Sequence, residues 1–259
     1  TIDMDKQKKL QSTVDDTLAG FTEKNDDGTY NMQGAAVTID NNTGYVVAIV
    51  GGRDQDFNSY TLNRAFQSHR QPGSSIKPLI VYTPAFERGY DPNTIVDDHK
   101  FEGGPSNATN TYAGKIPLRY AVAKSLNTVA WQVYEQVTPK VGLQYLKNMN
   151  FSSIVKDDYT LATSLGGFTK GVSPLEMASA YAALENDGMF RQPNCIKSIV
   201  DADENVVYSS QMAEVSIYEK DATRTMTDVL TTVMDSGTGA ALKLSNMPCA
   251  GKTGTTNDH

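Results

Sequence analysis

The chain has 259 residues, with 39% hydrophobic and 20% charged side chains, enough to bury a real core. Thirty acidic against 23 basic residues leave a formal charge of −7, which argues against the broad basic surface of sequence-independent nucleic-acid binding. No apolar run approaches the ~18 residues a membrane span needs, and Thr1–Lys6 lacks a charged then apolar leader, so any secretory signal is expected upstream.

Residues 6–20 repeat Leu10, Val14 and Leu18 at fourfold spacing and predict an amphipathic helix. The β-rich runs 35–40 and 45–50 flank Asn41-Asn42-Thr43-Gly44, a hairpin signature. Gly51-Gly52 then release a polar loop to Arg70. After Gln71-Pro72-Gly73, the stretch 74–82 predicts a helix that starts at Ser74 and tolerates Pro78 in its first turn. Residues 91–114 are rich in Gly, Pro and Asn and predict a loop. Residues 117–137 are helical in composition with a break at Ser125-Leu126-Asn127, and 141–149 give another helix. Ser173-Pro174-Leu175-Glu176 is a capping box opening a helix that Gly188 closes. A second hairpin is predicted from 196–200 and 206–208, a helix from 223–234, and an extended run from 247–256. Without repeats or linkers, 1–259 reads as one domain of α+β or mixed α/β class with an antiparallel sheet.

Cys195 and Cys249 match no disulfide framework or metal-ligand spacing and are expected as small buried side chains. His69, His99 and His259 are scattered, which argues against a zinc site and against a Ser-His-Asp triad. A nucleophile here needs another base. Ser-x-x-Lys places a hydroxyl and an amine one helical turn apart, close enough for a neutral amine to take the hydroxyl proton. It occurs twice, at Ser74 to Lys77 and at Ser153 to Lys156. Only the first follows a Pro-Gly turn and opens a helix, where the dipole favours a developing anion. Gly251-Lys252-Thr253 imitates the end of a phosphate loop, but the required first glycine falls on Asn246. Taken singly, Ser125 and Asn127 suit helix caps and Lys252 suits a solvated strand edge.

The ordered trio Ser74-x-x-Lys77, Ser125-Leu126-Asn127 and Lys252-Thr253-Gly254 resembles the signature of penicillin-binding proteins and class A β-lactamases. The longer stretches 70–78 and 165–177, and the opening Thr1-Ile2-Asp3, resemble the transpeptidase domain of class A, bifunctional penicillin-binding proteins. The resemblance implies that family's fold, with helices flanking an antiparallel sheet. It implies Ser74 as acylated nucleophile, Lys77 as general base, Ser125 as proton relay, and Asn127 bonding the substrate amide and fixing Lys77. It further implies that Lys252, Thr253 and Thr255 hold the substrate carboxylate beside Gly254, whose bareness leaves a strand edge open to a peptide, with the N–H groups of Ser74 and Thr255 as oxyanion hole. No cofactor or metal is implied.

The implied partners are peptidoglycan stem peptides, as D-Ala-D-Ala donor and amine acceptor, and β-lactams. Nucleic acid is not among them. The middle motif is Ser-Leu-Asn rather than Ser-Asp-Asn, and no Glu-x-x-Leu-Asn sequence supplies a deacylating water, which favours a slow-deacylating transpeptidase over a β-lactamase. A D,D-carboxypeptidase, or a β-lactam-sensing domain acylated once, remain alternatives. The glycosyltransferase domain, the membrane anchor and the sheet's closing C-terminal strands are expected outside this sequence, with the protein on the extracytoplasmic face of the membrane.

Overall fold

The computed structural model describes residues 2–55 and 61–256; Thr1 and His259 lie outside them. The chain forms two compact units, one from residues 1–70, 172–186 and 190–215, the other from 71–171, 187–189 and 216–259. All eight residues of the three motifs belong to the second unit.

Helix α1, Met4–Thr17, starts where the Asp3 carboxylate accepts the Asp5 and Lys6 N–H groups, two residues before the periodicity suggested. Its Gln7 amide pairs with Ile49, donating to the carbonyl at 2.9 Å and accepting the N–H at 2.8 Å. The predicted hairpin forms from β1, Ala36–Ile39, and β2, Val46–Val50, antiparallel with Ala36 opposite Val50. Alternation in β2 buries Val46, Ala48 and Val50.

The segment expected as one helix from Ser74 is three different turns. A 3₁₀ turn, Gly73–Ile76, passes into a π-helical turn, Pro78–Tyr82, and then into α2, Thr83–Phe86. Pro78 has no N–H to give, and its carbonyl accepts both the N–H and the hydroxyl of Thr83, the latter at 2.7 Å, which widens the coil there. Pro78 to Phe86 is buried throughout, as a segment that is apolar on all sides must be.

The stretch expected as loop at 91–114 contains half of a hairpin, β3, Ile95–Asp98, paired antiparallel with β4, Gly114–Pro117. Composition hid it because its polar residues make the fold: Asp98 is buried at the strand end, accepting from Asn107 Nδ2 and Ala113 N at 2.7 Å and from the Thr128 hydroxyl. Helix α3, Leu118–Ala123, and α4, Asn127–Val137, are broken at Ser125 as expected, and α5, Pro139–Asn148, follows. Both α4 and α5 pack on the π-helical turn.

Helix α6, Pro174–Glu185, has the predicted capping box, with Ser173 N donating to Glu176 Oε2 at 2.7 Å and Glu176 N donating to Ser173 Oγ at 3.3 Å. Strand β5, Met189–Arg191, pairs with β8, Glu214–Ser216, and β6, Ser198–Val200, with β7, Val206–Ser209, the second predicted hairpin. Helix α7, Lys220–Ser236, packs along α2 and α3 and buries Met226, Val229, Leu230 and Val233. The mixed α/β class expected from the sequence holds, with β1–β2, β3–β4 and β6–β7 as antiparallel pairs. The cysteines depart from expectation: Cys195 is exposed and Cys249 half-buried, because both lie in irregular segments that contribute little to either core.

Candidate active site

The nucleophile turn is built by close backbone approach. Gly73 has φ +55°, and a side chain there would collide with the Thr255 backbone. The 3₁₀ winding superposes residues three apart, and Lys77 N donates to Ser74 O, so both side chains leave the same face. Ser74 is half-buried and Lys77 fully buried.

Lys77 Nζ donates to Ser125 O and Asn127 Oδ1, both at 2.8 Å, with Leu126 O further off at 3.4 Å. Burial, and after it the charge of Lys252, hold its amine well below the ordinary lysine range. A neutral amine has two N–H bonds and one lone pair. The two short contacts use both N–H bonds and leave the lone pair. Ser74 Oγ has no hydrogen-bond partner among the described residues.

The second motif is set by a helix ending. Ser125 N donates to Val122 O and Leu126 N to Ala121 O, both at 3.0 Å, the paired bonds of a Schellman turn closing α3. Ser125 occupies its left-handed position, φ +57°, where glycine is usual. That conformation costs about 1 kcal/mol or more for a residue with a side chain. It turns the carbonyl of Ser125 toward Lys77 and its hydroxyl toward Lys252, whose Nζ donates to Ser125 Oγ at 2.8 Å. Asn127 opens α4, its Nδ2 donating to Ser106 O at 2.9 Å.

The third motif does not form a strand. Residues 250–256 have no ladder partner among the described residues; Gly251 N donates to Leu230 O at 3.3 Å, and the rest lies against the nucleophile turn. Gly254 is bare for packing: a side chain would meet Pro72 O at 2.5 Å and Ser75 N at 3.1 Å. On its side-chain side the glycine is covered by the turn that carries Ser74. Burial lowers the Lys252 amine to about 8, so Lys252 is mostly charged at neutral pH. Thr253 Oγ1 lies 2.6 Å from Thr238 Oγ1, and Thr238 N donates to Ala123 O at 3.1 Å.

The eight residues singled out from the sequence thus divide cleanly. Lys77, Ser125, Asn127 and Lys252 share one hydrogen-bonded cluster; Ser74 lies in the Gly73–Ile76 turn, which Gly254 and Thr255 meet by backbone contact, and Thr253 pairs instead with Thr238. The other pair, Ser153 and Lys156, takes no part: Lys156 is exposed, at a 3₁₀ turn, Lys156–Asp158. Sequence reasoning passed over Asp98, Asn107 and Thr238. Each lies in a stretch whose Gly, Asn and Thr content reads as loop, so only contacts across the fold reveal them.

The family pattern described as the penicillin binding protein transpeptidase domain matches residues 34–258. The chain belongs to that family. It is 33% identical over 233 residues to penicillin-binding protein 4 of Bacillus subtilis, covering 88% of this chain and 37% of that protein. To penicillin-binding protein 1A/1B of the same organism it is 34% identical over 264 residues, 99% of this chain and 28% of the other. The chain therefore spans about a third of the length of these relatives. Among solved structures it resembles the PonA1 protein of Mycobacterium tuberculosis in complex with penicillin V, with a TM-score of 0.75 and 23% identity over 90% of this chain and 62% of that one, a likeness of fold.

Proposed function

We propose that this domain is a serine D,D-transpeptidase that joins peptidoglycan stem peptides through an acyl-enzyme on Ser74. The observation that carries the reading is the buried Lys77 amine, held below the ordinary lysine range, with two short N–H contacts to the Ser125-Leu126-Asn127 turn and a second lysine, Lys252, beside it.

Ser74 Oγ attacks the carbonyl of the penultimate D-alanine while Lys77 takes its proton. The N–H groups of Ser74 and Thr255 receive the oxyanion, the first unpaired because it opens the 3₁₀ turn. Lys252 donates to Ser125 Oγ, and the hydroxyl passes its own proton to the departing amine as the C–N bond breaks. The product is the Ser74 ester and free D-alanine. An amine of a neighbouring stem then attacks that ester and gives its surplus proton through Ser125 Oγ to Lys252, while Lys77 returns the first proton to Ser74 Oγ as the ester C–O bond breaks and the new amide forms. Thr253, Thr255 and the Lys252 charge hold the terminal carboxylate, beside Gly254. A β-lactam enters by the first step, and its ring-opened ester persists. The chemistry requires no cofactor. Its substrates place it on the extracytoplasmic face; among the described residues no helix is long and apolar enough to cross a membrane.

Incubating the protein with a fluorescent penicillin and mapping the labelled peptide tests the reading, followed by supply of a D-Ala-D-Ala peptide with and without an acceptor amine. A label on Ser74 that Ser74→Ala abolishes, with steady cross-linked product, is expected. Label retained in Ser74→Ala overturns the reading. Steady release of D-alanine to water alone makes the domain a carboxypeptidase, and a single stoichiometric release makes it a sensor.

A further inference from the structure

Behind the Ser-Leu-Asn turn stands a second buried polar group. Asn107 is 3% exposed, and every hydrogen-bonding atom of its amide is used. Its Oδ1 accepts the first N–H groups of α4, from Asn127 at 2.8 Å and Thr128 at 3.3 Å. Its Nδ2 donates to Asp98 Oδ1 at 2.7 Å and Thr111 O at 3.0 Å. The preceding carbonyl, Ser106 O, takes Asn127 Nδ2. The 106–107 segment therefore grips Asn127 twice, once by its backbone and once by its side chain.

That double grip decides which end of the Asn127 amide meets Lys77. With Nδ2 tied to Ser106 O, Oδ1 must face the lysine, 2.8 Å from Nζ. A reversed amide would present N–H bonds to Nζ and draw the lone pair away from Ser74. We infer that Asn107, anchored by the buried Asp98 carboxylate, is a positioning residue that fixes the Asn127 amide so that the lone pair of Lys77 is kept for Ser74. The anchor itself is rigid. Asp98 is 1% exposed and gathers Asn107, Thr128 and Ala113 N, so the amide of Asn107 cannot turn over without stranding a buried carboxylate. The inference rests on the proposed role of Lys77.

The charged groups around Lys77 are few among the described residues. Lys252 acts on it from the 250–256 segment, and Asp98 stands behind Asn107 and Thr128 at the start of α4. Loosening Asn127 weakens an acceptor that favours the ammonium form, so the acid limb of acylation moves to lower pH while the rate falls for want of alignment.

The experiment follows acylation of the protein by a chromogenic cephalosporin across pH, for wild type, Asn107→Ala and Asn107→Asp, with the competent fraction counted by saturating fluorescent penicillin. Expected for Asn107→Ala is a rate per competent molecule about 10- to 100-fold lower, with the acid limb displaced to lower pH. Asn107→Asp keeps an oxygen on the α4 N–H groups, so part of the rate returns. A lower competent fraction with unchanged rate and unchanged acid limb overturns the inference, since it describes a purely structural residue. A wild-type protein that takes no label on Ser74 overturns the proposed function instead, and the two failures are distinct.

Discussion

Two turns in this molecule carry a serine followed three residues later by a lysine, and only one is equipped for chemistry. At Ser74 and Lys77 the amine is completely buried, bonded to Ser125 O and Asn127 Oδ1, and faces a second lysine. At Ser153 and Lys156 the lysine is exposed to solvent. The spacing is identical, so the spacing is not the cause of reactivity. On the proposed function, reactivity comes from what the rest of the chain brings: a turn 50 residues along the sequence from Lys77 supplies the Asn127 acceptor, and another at Lys252 supplies the charge.

The largest effects should therefore fall on one lysine and spare the other. Lys77→Ala is expected to slow acylation by about 10²- to 10⁴-fold, the usual contribution of a positioned base. Lys156→Ala should change it less than about twofold, as a solvated surface substitution does. Stopped-flow acylation of the two variants measures both, and comparable losses would erase the distinction between the turns.

Lys252 offers a smaller and sharper contrast, because its effect is written in pH. Its amine titrates at about 8, and the charged form both donates to Ser125 Oγ and attracts a carboxylate. Acylation should decline above about pH 8 as that proton is lost. Lys252→Arg keeps the charge and abolishes this alkaline fall. Lys252→Ala, expected to cost about a hundredfold at neutral pH, also removes the repulsion that lowers Lys77. The Lys77 pKa then rises and the acid limb moves to higher pH, opposite in sign to Asn107→Ala. Rate–pH profiles of the three proteins check all of this.

How much was legible in the sequence follows from the range of each cause. Caps and turns act within a few residues, so the β1–β2 hairpin, the α3–α4 break and the Ser173–Glu176 box could be read directly. The conjunction of motifs also singled out Lys77, Ser125, Asn127 and Lys252, which the fold joins in one hydrogen-bonded cluster. The π-helical turn after Lys77 was not legible, because it depends on one carbonyl, Pro78 O, taking two donors from Thr83. Nor was β3, whose Asp97-Asp98 reads as loop until Asn107 and Thr128 arrive to satisfy the buried carboxylate. Gly254 was read as clearance for a ligand, whereas its clearance is used by Pro72 O and Ser75, a contact between residues far apart in sequence.

The smallest predicted effect separates the two serines that the sequence left alike in composition. Ser125 sits at φ +57° in the place a Schellman turn gives to glycine, whereas Ser153 is not among the residues with positive φ. Replacing Ser125 by Ala or by Gly removes the same hydroxyl and the same bond from Lys252, so both variants lose acylation. They differ only in backbone. Glycine relieves the left-handed strain and alanine does not, and the gain in the folded state offsets the greater freedom of a glycine in the unfolded one. Ser125→Gly should therefore be more stable than Ser125→Ala by about 1 kcal/mol, read as a few degrees in Tm by differential scanning calorimetry. At position 153 the order reverses, since there glycine adds only unfolded-state entropy. Equal Tm values for the two variants at 125 would mean that the left-handed turn stores no strain, and that the hydroxyl is aimed at Lys252 without any sacrifice of stability.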